Sequence, residues 1–219
     1  MKIVIGVTTW GGERQERSTF LSYWNNTEAS PHEIYLVCAD GTKMDDAVTE
    51  KRIAHCRQFS ADFLSRTGQS ARRMIIDYAK TKEADLCFFI NHDILFFSPG
   101  WLGRLTYFFE RNREVGLVSL KPINGRGFHD HLEQWGGAPI VIEEVEGPFA
   151  IKLETAKQLD NIEDIDFDLQ LLALGYPSFC LPWPPVLNMS PLPACGVSIK
   201  INRLVMWLDK LGQERSAEL

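Results

Sequence analysis

Three places in the sequence carry residue types able to do chemistry. The first is the run Leu86-Cys87-Phe88-Phe89-Ile90, which ends in Asn91-His92-Asp93. It sets a carboxylate directly after a strand apolar enough to be covered on both faces. A hard oxygen ligand held there can bind Mg2+ or Mn2+ bridging a diphosphate; the competing reading is a simple turn cap. The second is Glu163-Asp164-Ile165-Asp166, at the start of a helical pattern. Acids there cap a helix and favour its dipole. Three together also raise one another's pKa by repulsion, which suits a general base. The third is Phe128-His129-Asp130-His131 with Trp135-Gly136-Gly137. Two histidines at spacing two, with no third soft ligand nearby, make a thin metal site.

The elements that must position these groups follow from the apolar pattern. Ile3–Thr8, Ile34–Cys38, Leu86–Ile90 and Gly116–Leu120 read as buried strands. Ile140–Ile142 and Phe149–Ile151 are shorter candidates, and Ser178–Leu181 reads as a last edge strand followed by the Pro-rich stretch 182–193. Arg17–Asn25, Gln69–Lys82, Trp101–Arg111, Ile165–Leu174 and Ile201–Leu211 have helical spacing. The mixed stretch Asp46–Leu64 is read as helix, and Pro122–Gly137 as loop. Strands alternating with helices imply an α/β fold: one mostly parallel central sheet flanked by helices, in a single domain. Residues 1–196 form that domain in this reading, and 197–219 a C-terminal amphipathic helix packed on it. Ligands of such sheets bind beyond the carboxyl ends of the strands. Thr9, Asp40 and Asn91-His92-Asp93 stand at those ends and should converge on one cleft.

Composition narrows the partners. The chain has 219 residues, 45% hydrophobic, with 13 Phe, 6 Trp and 5 Tyr, enough for a substantial core. The net charge of −6 makes nucleic acid an unlikely ligand, because general phosphate-backbone binding needs a basic field. The five cysteines include no CxxC pair, which argues against a disulfide framework or zinc ribbon and fits reduced thiols in a cytoplasmic protein. Cys38 and Cys87 lie in apolar runs and read as small buried hydrophobes. No apolar stretch reaches membrane-spanning length, so stable membrane insertion is not expected. Neither GxGxxG nor GxxxxGK[ST] occurs. Trp10 and Trp101 read as packing residues, and Arg73 as part of a solvated helix face.

Five stretches, in order, resemble the family 2 nucleotide-sugar glycosyltransferases of GT-A fold, in their rhamnosyltransferase-like branch. Lys2–Thr9 with Trp10 is similar to the opening strand. Cys38-Ala39-Asp40-Gly41-Thr42 resembles the Val-Asp-Asp-Gly-Ser turn, and Gly68-Gln69-Ser70-Ala71-Arg72 the Gly-x-Ser-x-Ala-Arg helix start. Phe89–Asp93 followed by Pro99-Gly100-Trp101-Leu102 resembles the acidic metal motif and its Pro-Gly-Trp-Leu helix. Glu163–Asp166 through Leu174-Gly175-Tyr176 matches the Glu-Asp-x-Asp…Ala-Gly-Tyr helix in spacing. The resemblance runs from residue 2 to about residue 188.

The resemblance implies an inverting enzyme that moves a sugar from a nucleoside diphosphate to an acceptor hydroxyl, assisted by Mn2+ or Mg2+. Thr9 and Asp40 would hold the base, and Arg72 would contact the nucleotide or its phosphates, with Asn91 also on the donor side. Asp93 would bind the metal, with Asn188 where many relatives carry a metal-binding His. Asp164 would be the general base, with Glu163 beside it in the cleft. His129, His131 and Trp135 fall in the acceptor loop, which would order over substrate with Trp135 stacked on a sugar ring. The chain departs from the pattern at Asn91, where an Asp is frequent, and also at Ala39, where relatives carry the first Asp of the turn, and at Asn188; the last two are the departures that bear on activity. Those departures motivate an alternative, a GT-A-like domain that binds nucleotide or glycan without turnover. A further alternative keeps the transferase and makes a modified nucleic-acid base its acceptor.

Overall fold

A computed structural model describes residues 1–10, 13–27, 30–96, 99–124, 140–141, 147–159, 170–171 and 173–188; of these, 121–124, 140–141 and 182–188 are described by backbone alone. The elements in chain order are β1 (Lys2–Thr9), α1 (Glu13–Asn26), β2 (Glu33–Asp40), α2 (Asp46–Arg57), β3 (Ala61–Ser65), α3 (Ala71–Thr81), β4 (Leu86–Asn91), β5 (Ile94–Phe96) and α4 (Trp101–Arg111). They continue with β6 (Leu117–Asn124), β7 (Ile140–Val141), β8 (Phe149–Lys152), α5 (Leu153–Ala156) and β9 (Ser178–Asn188). The nine strands form one sheet in the order β3-β2-β1-β4-β8-β6-β9-β5, with β7 on β9. Its first half, β3-β2-β1-β4, is parallel throughout; β8 joins antiparallel, and β6 and β9 run parallel to each other.

Both faces of the sheet are covered, which is why its inner strands read as unbroken apolar runs. On one face, Ile3, Ile5, Val7, Phe88 and Ile90 pack against Phe20 and Tyr23 of α1, Cys56 of α2, and Trp101, Leu105 and Phe109 of α4. On the other, Val4, Val37, Ala39, Cys87 and Phe89 pack against Met74, Ile75, Ile76 and Ala79 of α3 and Leu153 of α5. Trp101 is fully buried, stacked on Phe96 at 4.4 Å between ring centroids and tilted on Phe88 at 5.1 Å, so it is a packing residue as expected. Trp10 is not: it is 64% exposed, because it sits one residue beyond the strand, at the rim where the helices no longer cover the sheet.

Three sequence expectations are corrected. Asp46–Leu64 is a helix followed by a strand, since Ser60, at φ 54, breaks the chain between α2 and β3. β3 lies at the sheet edge with one hydrogen-bonded neighbour and only Ala61 buried, so it needs no apolar run. Pro122–Asn124 belongs to β6 rather than to a loop. β9 continues through its prolines to Asn188 and is flanked by β6, β5 and β7, so it is not an edge strand. The ladder between β6 and β9 shifts register between Leu120↔Leu181 and Pro122↔Val186. Pro182, Pro184 and Pro185 fall in that interruption, where no ladder hydrogen bond is required of them.

The helical pattern at 165–174 is described only near its end. Leu174 N–H donates to Gln170 O and Tyr176 N–H to Leu171 O, and Gly175 at φ 80 supplies the left-handed residue that closes such a turn. Residues 197–219, expected as a packed helix, lie outside the described residues.

Candidate functional site

The carboxyl ends of β1, β2 and β4 meet as the alternation of strands and helices requires. Thr9 is the register partner of Asp40, and Thr8 that of Asn91. Thr9 and Asp40 are buried although both are polar. Asp40 Oδ1 accepts from Thr42 N at 2.8 Å and from Thr42 Oγ1 at 2.7 Å, which holds the turn in one conformation. Asp40 Oδ2 is buried with no hydrogen-bond partner among the described residues. Leaving a buried acceptor unpaired costs about 1–3 kcal/mol, more when it is charged. An oxygen so placed suits a donor supplied by a ligand.

The turn carrying Asp93 is tied down from two sides. His92 N donates to Thr8 O at 3.0 Å, and Thr19 Oγ1 of α1 donates to His92 O at 2.7 Å. Thr8 Oγ1 donates to Asn91 Oδ1 at 3.0 Å. Further along, Ser22 Oγ accepts from Phe96 N and Asn26 Nδ2 donates to Phe96 O, so polar side chains of α1 satisfy the free edge of β5. Asp93 is 7% exposed, and its Oδ1 has no hydrogen-bond partner among the described residues. β9 ends with Asn188 opposite Ile94, the residue after Asp93. A buried, unpartnered carboxylate oxygen with an amide residue on the adjoining strand fits a hard divalent cation such as Mg2+ or Mn2+. Trp10 stands edge-on to His92, ring centroids 5.2 Å apart, and forms the exposed rim of this corner.

Arg72 enters from α3. Ser70 Oγ caps that helix by accepting from Arg73 N at 3.2 Å, and Gly41 of the Asp40 turn packs directly on the backbone of Gln69 before it. The helix therefore starts beside the Asp40 turn. The Arg72 guanidinium lies 5.2 Å from the centroid of the Phe149 ring. Arg73 points outward, with its Nε 3.6 Å from Asp77 in an exposed pair, as a solvated helix face requires.

Sequence reading passed over a charged cluster beneath Thr9. Glu16 of α1 and Arg52 of α2 form a buried ion pair, and Arg52 Nη2 also stands 3.4 Å from Thr9 Oγ1. Cys38 Sγ donates to Glu16 Oε1 at 3.4 Å, and His55 Nε2 lies 3.5 Å from Glu16 Oε2. A hydrogen bond to Cys56, burial and the nearby Glu16 charge hold the Cys38 thiol well above its usual pKa. Burial opposes the Arg52 charge, but Glu16 more than offsets it, and Arg52 stays cationic. A signal was present: Glu16 shares a helix face with Phe20 and Tyr23, and Arg52 with Cys56, so each charge interrupts an inward stripe.

The structure thus brings Thr9, Asp40, Asn91 and Asp93 to one corner, sets the start of the helix bearing Arg72 against the Asp40 turn, and ends β9 nearby at Asn188. Glu163, Asp164, His129, His131 and Trp135 lie outside the described residues.

The architecture is the GT-A fold. No family model and no curated protein matches the sequence. Solved structures do match in shape. GalNAc-T7, solved with UDP, GalNAc and Mn2+, aligns at TM-score 0.64 and 13% identity over 86% of this chain and 44% of its own. S. aureus TarS residues 1–349 with UDP-GlcNAc aligns at TM-score 0.61 and 13% identity over 86% and 58%. The mannosyltransferase PcManGT of Pyrobaculum calidifontis, with GDP-Man and Mn2+, aligns at TM-score 0.64 and 15% identity over 89% and 58%. The chain spans only between 44% and 58% of the length of these three solved chains. Among the described residues no helix is long and apolar enough to cross a membrane.

Proposed function

We propose that the protein is an inverting, metal-assisted glycosyltransferase acting on a nucleoside diphosphate-sugar, as the family 2, rhamnosyltransferase-like resemblance implies. The observation that carries this reading is the pair of buried carboxylate oxygens without a hydrogen-bond partner among the described residues, Asp40 Oδ2 and Asp93 Oδ1, at the ends of β2 and β4, the two strands that flank β1 in a GT-A sheet. One is suited to accept an N–H from a base; the other is suited to a cation on the diphosphate. The solved neighbours bind UDP- or GDP-linked ligands, two of them with Mn2+, which supports the same reading.

In this mechanism Thr9 and Asp40 bind the base, with Asp40 kept in place by Thr42. Arg72, from the start of α3, meets the phosphates. Asp93 and Asn188 would hold the divalent cation, which would supply positive charge against the charge developing on the departing diphosphate. Asp164 takes the proton from the acceptor hydroxyl, whose oxygen attacks the anomeric carbon as the bond to the diphosphate oxygen breaks. One displacement inverts the configuration, so no covalent sugar–enzyme intermediate forms. By the resemblance, Glu163 would assist the base, and His129, His131 and Trp135 would serve the acceptor. The fold's contribution is to hold donor and acceptor in line. A cytoplasmic location belongs to this reading, and thiols kept reduced there would suit it.

One observation favours the reading in which binding survives without turnover. Ala39, in place of an acid of the base-binding turn, is buried in the apolar cluster with Val37, Ile75 and Ile76, so this position brings no side-chain acceptor to a nucleotide.

Two measurements test the proposal. The thermal transition is followed with UDP, GDP and dTDP, each with and without Mn2+; one nucleotide should raise it by mass action, with a metal-dependent part lost in Asp93→Ala. Absence of any shift with all three would overturn the donor assignment. Hydrolysis of the matching nucleotide-sugar should then be measurable in the wild type and depressed in Asp164→Asn. Equal, zero turnover in both, with binding intact, would establish the binding-only domain instead.

A further inference from the structure

Beneath Thr9, on the face of the sheet covered by α1 and α2, three elements direct metal-ligating side chains to one point. Glu16 comes from α1, Cys38 from β2, and His55 and Cys56 from α2. The ligand atoms of Glu16, Cys38 and Cys56 all lie within 4.8 Å of one another, and all three residues are fully buried. Cys38 Sγ is 3.4 Å from Glu16 Oε1, and His55 Nε2 is 3.5 Å from Glu16 Oε2. We infer that Glu16, Cys38 and Cys56, with His55 as fourth ligand, form a structural site for a thiophilic divalent cation of the zinc type, separate from the oxygen-lined corner at Asp93.

Geometry, unmet hydrogen bonds and charge each support the site. A tetrahedral zinc site with bonds of about 2.0–2.3 Å places its ligand atoms about 3.3–3.8 Å apart, so Glu16, Cys38 and Cys56 need only close in slightly on an ion, while His55, 3.5 Å from Glu16 Oε2, would turn toward the sulfurs to complete the set. Glu16 Oε2 and His55 Nε2 are buried with no hydrogen-bond partner among the described residues, and each would gain a coordination bond from a bound cation. The charge also balances. With both thiols protonated, Glu16 and Arg52 cancel. When a divalent cation enters, two thiol protons leave to solvent, and the three anionic ligands, Arg52 and the cation again sum to zero. The exchange therefore leaves no net charge buried in the cluster. Arg52 holds the Glu16 carboxylate through Oε1, which leaves Oε2 toward His55 for the ion, in the manner of the partners that orient metal ligands. Two sulfurs select zinc over the Mg2+ or Mn2+ suited to Asp93.

The test uses the whole chain, reduced and freed of metal, with Asp93→Ala as the background that removes the oxygen-lined site. Zinc should bind in a 1:1 ratio by elemental analysis and raise the thermal transition. Cobalt(II) should give a thiolate-to-metal charge-transfer band that is lost in Cys38→Ser and Cys56→Ser and kept in Cys87→Ser, whose thiol faces α3 on the opposite side of the sheet. Should the first two variants fail to fold, X-ray absorption of the zinc-loaded protein decides. Two sulfur neighbours at about 2.3 Å support the site, and a shell of nitrogen and oxygen alone overturns it. Sub-stoichiometric zinc, a cobalt band that survives both substitutions, or a Cys38–Cys56 disulfide that persists in the reduced protein would each overturn it as well.

Discussion

Gly41 lies so close to Gln69 that a Cβ added to it would meet the Gln69 carbonyl oxygen at 2.7 Å. That contact joins the turn holding Asp40 to the start of the helix bearing Arg72, and a backbone oxygen cannot swing aside as a side chain would. Gly41→Ala is therefore expected to destabilise the fold by about 1–3 kcal/mol, the usual cost of overpacking. It should also weaken nucleotide binding beyond that loss, because it parts two elements of one pocket. Gly103→Ala is the control: it lies in α4 with open space around it, and should be neutral or stabilising by up to about 1 kcal/mol. Urea denaturation of both variants makes the comparison.

Asp40→Asn keeps an acceptor for Thr42 but turns the unpartnered oxygen into a donor. If that oxygen receives an N–H from the base, nucleotide affinity should fall by about 1.5–3 kcal/mol, roughly 10- to 100-fold, with little change in the unfolding midpoint. Calorimetric titration with the stabilising nucleotide measures it. A stability loss with unchanged affinity would mean that Asp40 only braces its turn.

Glu16→Gln leaves the Arg52 guanidinium buried without its counter-charge. Breaking one side of such a pair costs about 3–5 kcal/mol, so the denaturation midpoint should drop sharply. Replacing both partners, Glu16→Leu with Arg52→Met, should recover much of that loss. Because Arg52 also reaches Thr9, the double variant is expected to bind nucleotide less well than its stability alone would suggest.

Alkaline pH should destabilise the protein through groups that hold their protons more tightly when folded. Burial raises the Cys87 thiol from the usual 9.0 to about 12, and burial raises the Tyr23 hydroxyl from 10.0 to about 12. Their contribution is complete below the unfolded values and is lost as pH rises through the folded ones. A series of urea midpoints should thus be flat near neutrality and decline between about pH 9 and 12. Native alkylation of Cys87 should remain slow over the same range.

The strand ends bearing Thr9, Asp40 and Asn91 were legible because β1, β2 and β4 are covered on both faces. Their apolar runs stop where the covering helices stop, so the first polar residue marks the rim. β3 was not legible: an edge strand with one buried residue has no periodic signature. β5 hid inside one apolar run with the turn before it, and the prolines of β9 concealed a strand whose ladder is interrupted only where they lie. Trp10 was misplaced for a related reason, since an aromatic one residue past a buried strand looks apolar in sequence whether or not a helix reaches it. The Glu16–Arg52 pair needed tertiary information, because its members are distant along the chain and each alone resembles a surface charge.

The pairing of β5 with β9 has a consequence for biosynthesis. The segment right after Asp93 gains its ladder partner only once Ser178–Asn188 has been synthesised, whereas the Ser22 and Asn26 contacts from α1 to its other edge need only earlier residues. Removing those two short side chains should therefore lower the yield of correctly folded product more than it lowers the stability of the finished molecule.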